Sequence, residues 1–150
     1  MLKQQLKDEL KQSVLAKDEM KTSVLRMVIS AIGYYETQKG GAGYEATDED
    51  VLQVLQKEAK QHKESIEQFK NGNRQDLVDK ETKELEILQK YLPEQMSEKE
   101  VKKIVQETIQ ETGATSAQDI GKVMEALMAK VKGKADGGLV SKIVREELTK

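Results

Sequence analysis

The chain has 150 residues, 35% of them charged, and the charges nearly balance at a net −2. That length suits one domain or two small ones, and the balance gives no global field toward nucleic acid or a polycation. With no cysteine, disulfides, thiol nucleophiles and thiolate metal sites are excluded.

The charge is uneven along the chain. Residues 1–96 carry 15 Lys+Arg against 18 Asp+Glu, residues 97–150 carry 10 against 9, and residues 122–134 hold four lysines and one glutamate. A polyanion would therefore land on the C-terminal part. Aromatic residues make up only 3%, which argues against base-stacking platforms. The opening MLKQQLKDEL lacks an apolar leader core, and no apolar run reaches membrane-spanning length. The expectation is a soluble, cytoplasmic protein with no membrane contact.

The pattern is helical almost throughout. Leu2, Leu6, Leu10 and Val14 recur every four residues and predict a first amphipathic helix. Asp18 starts a second, whose broad apolar face of Val24, Leu25, Val28, Ile29 and Ile32 predicts the most buried helix of its bundle. That helix frays near Lys39, ahead of Gly40, Gly41 and Gly43. Thr47 with Asp50 resembles a capping box opening a third helix, with Leu52, Leu55, Ala59, His62, Ile66 and Phe69 on one stripe. Asn71-Gly72-Asn73 reads as a tight turn into a fourth helix carrying Leu77, Val78, Leu85, Leu88 and Leu92. Pro93 ends it.

Ser97 with Glu100 is a full capping box. Together with Pro93 it marks a boundary: a bundle over 1–92, a linker over 93–96 and a three-helix part over 97–150. The three shorter helices carry Val101, Ile104, Val105 and Ile109; then Ile120, Val123, Met124, Leu127 and Val131; then Leu139, Val140, Ile143, Val144 and Leu148. Gly113 stops the first, Ser116 with Asp119 starts the second, and Asp136 starts the third. No segment alternates with period two long enough for a strand. The predicted class is all-α.

Three stretches resemble one family: TSVLRMVISAI from Thr22, KESIEQFKNGNRQDLVDKETKELEILQKYLPEQMSEKEV from Lys63, and GATSAQDIGKVMEALMAKVKGKADGGLVSKIV from Gly113. They are similar to the YqeY-like family, which shares its name and tail domain with the GatB component of the bacterial aspartyl/glutamyl-tRNA amidotransferase (the GatB/YqeY family). The resemblance covers essentially the whole chain. Departures are Gly33, where members carry Lys or another helix former, and the glycine-rich loop from Gly40 to Ala46. The resemblance implies an N-terminal bundle, a three-helix tail and a tRNA-associated role. It also implies an association with glutamine-dependent carbon–nitrogen ligases, but no established activity for the stand-alone protein. The implied partners are tRNA and an aminoacyl-tRNA synthetase or amidotransferase.

The residues add a candidate RNA-binding site at the last helix–helix turn. Lys122, Lys130, Lys132, Lys134 and Lys142 supply positive charge, and Gly133 lets the turn approach a backbone closely. Gly137 and Gly138 offer N–H groups at a helix start. Recognition there would rest on phosphate charge and shape. The bland alternative is that these lysines offset a helix dipole and the glycines cap.

Elsewhere the structural readings are favoured. His62 lies on the apolar stripe, with Glu58 and Glu67 the only carboxylates at helical offsets, so it reads as a partly buried bundle residue. Arg26 reads as a buried or half-buried ion-pair partner, or as a side chain snorkelling along its stem. Glu84 with Glu86, and Glu146 with Glu147, sit in solvated stretches as poor acid–base pairs. Ser97 and Ser116 are explained by capping, and Met124 and Met128 by core filling. The expectation is no catalytic set, no metal and no cofactor. A protein-interaction adaptor without RNA binding is the alternative function.

Overall fold

A computed structural model of the chain describes residues 1–149. It is all-α and divides into two compact units, Met1–Leu92 and Pro93–Lys150.

The first unit holds α1 (Leu2–Leu15), α2 (Glu19–Gly40), α3 (Asp48–Asn71) and α4 (Gln75–Gln89). Its core gathers Leu6, Val24, Leu25, Val28, Ile32, Val51, Leu55 and Leu88. A second, smaller cluster of Ala59, Ile66, Val78 and Leu85 lies between α3 and α4. Local chemistry sets the ends. The Asp18 side chain accepts from the Lys21 N–H, and Thr47 and Asp50 form the reciprocal capping box. In the α3–α4 turn the left-handed residue is Asn73, at φ 57°, and not Gly72.

Three expectations need correction, the first being Met128, read as core filling but 39% exposed. Val14 is 47% exposed, and Ser13 is buried in its place, its hydroxyl 2.9 Å from that of Thr22. A four-residue repeat drifts about 40° per step around a helix of 3.6 residues per turn, so by Val14 the stripe has left the core. The most buried helix is α3, which contributes seven buried residues to five from α2.

The second unit holds α5 (Glu98–Thr112), a 3₁₀ turn (Ala117–Asp119), α6 (Ile120–Val131) and α7 (Gly137–Leu148). Val101, Val105, Val123, Leu127, Val131, Val140, Ile143 and Val144 form its core. Burying a side chain such as Leu127 completely contributes about 1.5–3 kcal/mol. Gly113, at φ 68°, ends α5 in the left-handed conformation, and Ser97 with Glu100 caps its start. The Ser116–Asp119 box opens the 3₁₀ turn, and α6 follows it.

Candidate nucleic-acid interface

The turn between α6 and α7 alternates. Val131, Gly133 and Ala135 are buried, while Lys132, Lys134 and Asp136 are exposed. The apolar residues are drawn into the core of the unit, which leaves both lysines on the solvent side. Gly133 makes this possible with φ 76°, a backbone conformation costly for other L-residues. The chain following Pro93 braces the turn. Met96 N–H donates to the Lys134 carbonyl at 2.8 Å, and Gln95 Nε2 donates to the carbonyls of Gly133 and Pro93, each at 2.8 Å.

The start of α7 lies directly beyond. Asp136 is its N-cap residue but makes no side-chain capping hydrogen bond, and Gly137 and Gly138 are exposed. In α2, α3 and α5, by contrast, the N-cap side chain accepts from a backbone N–H of the first turn. Lys142 is exposed further along α7.

Two of the expected lysines are placed differently. Lys130 turns toward α5, its Nζ 2.7 Å from Glu111 Oε2 and 3.2 Å from the buried Thr108 hydroxyl. Its charge is partly neutralised before any ligand arrives. Lys122 stands near the start of α6, about 15 Å along the helix from the turn at 1.5 Å per residue. There Asp119 is held below the usual carboxylate range, chiefly by the N–H groups of Thr115 and Ser116 and last by Lys122. The turn therefore brings together Lys132, Gly133, Lys134, Gly137 and Gly138. Lys134 also lines a groove with Glu94, Glu100, Glu107 and Lys103. Its three carboxylates disfavour an anion there.

His62 is buried, as expected of a bundle residue, but its partners are not the expected ones. Glu58 offers its backbone carbonyl to Nδ1 at 2.8 Å, and Glu67 lies near Lys70 instead. Nε2 faces α4, 3.1 Å from Glu84 Oε2 and 3.5 Å from Glu81 Oε2. The sequence carries a signal for this: Glu81 and Glu84 occupy the positions four before Leu85 and Leu88, so they interrupt an inward-facing stripe. Nothing local points to Glu111 as the anchor of Lys130. Arg26 is exposed, not buried, beside Val14, Lys17 and Glu19.

The Yqey-like protein family matches residues 3–148. The chain belongs to that family. Curated relatives of this YqeY-like chain include proteins named altered inheritance of mitochondria protein 41, mitochondrial. The one from Pyrenophora tritici-repentis is 38% identical over 105 residues, covering 67% of this chain and 56% of the relative. That from Saccharomyces cerevisiae is 38% identical over 87 residues, covering 58% and 46%. That from Lachancea thermotolerans is 39% identical over 88 residues, again covering 58% and 46%. The chain thus spans about half the length of the curated relatives it matches. Their mitochondrial names do not fit a purely cytoplasmic expectation well. Among the described residues, no helix is long and apolar enough to cross a membrane.

Proposed function

We propose that this YqeY-family chain is a tRNA-associated accessory protein that holds tRNA phosphates at the α6–α7 turn, in an aqueous compartment where tRNA is charged. The observation that carries the reading is the juxtaposition of exposed Lys132 and Lys134 with the exposed glycine start of α7. Lysine charge and helix N–H groups together favour a phosphate. Lys142 extends the same positive edge, while Lys122 and Lys130 have secondary roles. The accessory task is to raise tRNA affinity or present tRNA to a synthetase or amidotransferase, with no ligase chemistry in this chain itself.

The test is retention of unfractionated tRNA on filters across a salt series. Two or three phosphate contacts give a log–log slope of roughly −2 to −3. Binding that ignores salt and survives Lys132→Gln with Lys134→Gln would refute the site.

A second reading, a protein-interaction adaptor, has its own support. Leu15 and Val14 are 84% and 47% exposed at the end of α1, beside a groove lined by Lys17, Thr22, Ser23 and Arg26. A protein partner whose capture needs Leu15 and persists after ribonuclease treatment would favour it.

A further inference from the structure

In the first unit, three acceptor groups converge between α3 and α4. His62 is 6% exposed, and its Nδ1 lies 2.8 Å from the Glu58 carbonyl oxygen. A carbonyl only accepts, so Nδ1 carries a proton, and Nε2, where it bears none, turns a lone pair outward. That lone pair faces Glu84 Oε2 at 3.1 Å and Glu81 Oε2 at 3.5 Å. Ionised carboxylates offer no donor in return. The cluster requires a cation between the three atoms, and the candidates are a proton on Nε2 and a metal ion.

Charge favours the metal, and the spacing accommodates it. One proton leaves the set of two carboxylates and one imidazole with a net negative charge, in a place where Glu81 and Glu84 are only 22% and 13% exposed. A divalent ion neutralises both carboxylates. Tetrahedral ligands at bonds near 2.05 Å stand about 3.3 Å apart, and the distances from Nε2 to the two oxygens bracket that value. All three ligand atoms lie within 4.8 Å of one another. The supports are rigid: Glu81 and Glu84 share one face of α4, three residues apart, and Ala59, Ile66, Val78 and Leu85 pack between the two helices. The Nδ1–carbonyl hydrogen bond is the outer contact that fixes the tautomer of a ligating histidine.

We propose that His62, Glu81 and Glu84 form a site for a divalent transition-metal ion of the Zn²⁺ class, with the fourth position left to water or an external ligand. The ion clips α3 to α4. This site lies on the bundle and is independent of the lysine turn.

The test is calorimetric titration of the full, tag-free, chelator-stripped chain with Zn²⁺ alone, paralleled by Co²⁺ absorption. One ion per chain and a tetrahedral Co²⁺ band in the visible are expected. His62→Gln and Glu84→Gln should each weaken uptake by about tenfold or more, with unchanged far-ultraviolet circular dichroism. Glu84→Gln matters most, because its amide can donate to Nε2 and keep the hairpin intact. No uptake by the wild type would mean that a proton fills the cluster and would overturn the proposal. Uptake that Glu84→Gln leaves unaltered would also overturn the site.

Discussion

The backbone N–H of Met96 donates to the carbonyl of Lys134 across 2.8 Å. The segment just after Pro93 is thereby a structural brace for the turn that displays Lys132 and Lys134. Gly133, at φ 76°, is the pivot of that brace. Gly133→Ala should destabilise the chain by about 1–2 kcal/mol, the cost of a left-handed L-residue. Chemical denaturation checks this, and an unchanged midpoint would show that the turn tolerates another conformation. Gln95→Ala should cost less, because its two acceptors are backbone carbonyls that water can reach when the turn opens.

Not all lysines of the C-terminal part should matter equally for tRNA. Replacing Lys132 and Lys134 by Gln should reduce the magnitude of the salt slope by about one for each lysine. Lys130→Gln should change it less, because Glu111 already holds that ammonium at 2.7 Å. Glu111→Gln should then strengthen tRNA binding slightly by releasing Lys130. Equal losses at all three lysines would argue for a diffuse field and against a built turn.

Gly33 stands inside α2 on its exposed side, and a β-carbon added there would meet nothing within 4 Å. Its cost is the flexibility it gives the unfolded chain. Gly33→Ala should raise stability by about 0.5–1 kcal/mol. A lowered melting temperature would reveal a need for glycine that the helix geometry does not explain.

Acid should loosen the first unit, with Asp50 and Glu36 the carboxylates that tie its helices to the α2–α3 loop. Asp50 accepts from Lys39 Nζ at 2.8 Å, the Tyr44 hydroxyl at 2.6 Å, the Thr47 N–H at 3.0 Å and the Tyr35 hydroxyl at 2.9 Å. Lys39 first, then Tyr44 and Thr47, hold its carboxyl well below the usual carboxylate range. Glu36 is lowered mainly by Lys3 and by the Ala46 N–H. A folded-state pKa below the unfolded value gives stability that is present above the unfolded pKa and lost as pH falls toward the folded one. The ordinary values are 3.8 for Asp50 and 4.5 for Glu36. Melting temperature should therefore stay flat from neutral pH to about pH 5 and fall below it. Asp50→Asn should lower it at neutral pH and flatten the acid limb. An acid limb of the same steepness in that variant would assign the loss to other groups.

Local chemistry is legible in the residues because it acts over one helical turn. The Thr47–Asp50 and Ser97–Glu100 boxes, the Asp18 cap, the left-handed Gly113 and the apolar stripes of α3 and α5 to α7 all follow from spacings of three and four. The all-α class and the order of the helices rest on those short-range rules. Even there, the drift of a four-residue repeat misplaces Val14.

Side-chain direction across helices needs the tertiary structure. Lys130 meets Glu111 across 19 positions, and His62 meets Glu84 across 22. Both pairings depend on how two helices rotate about their axes when their apolar faces pack, and that rotation is set by the core as a whole. By itself, the sequence determined which segments are helical, where they stop and where positive charge collects. Only the packing decided which lysines face solvent beside α7 and which carboxylates surround the single histidine, because burial of α3 against α4, and of α6 against α5, fixes where each remaining polar group must turn.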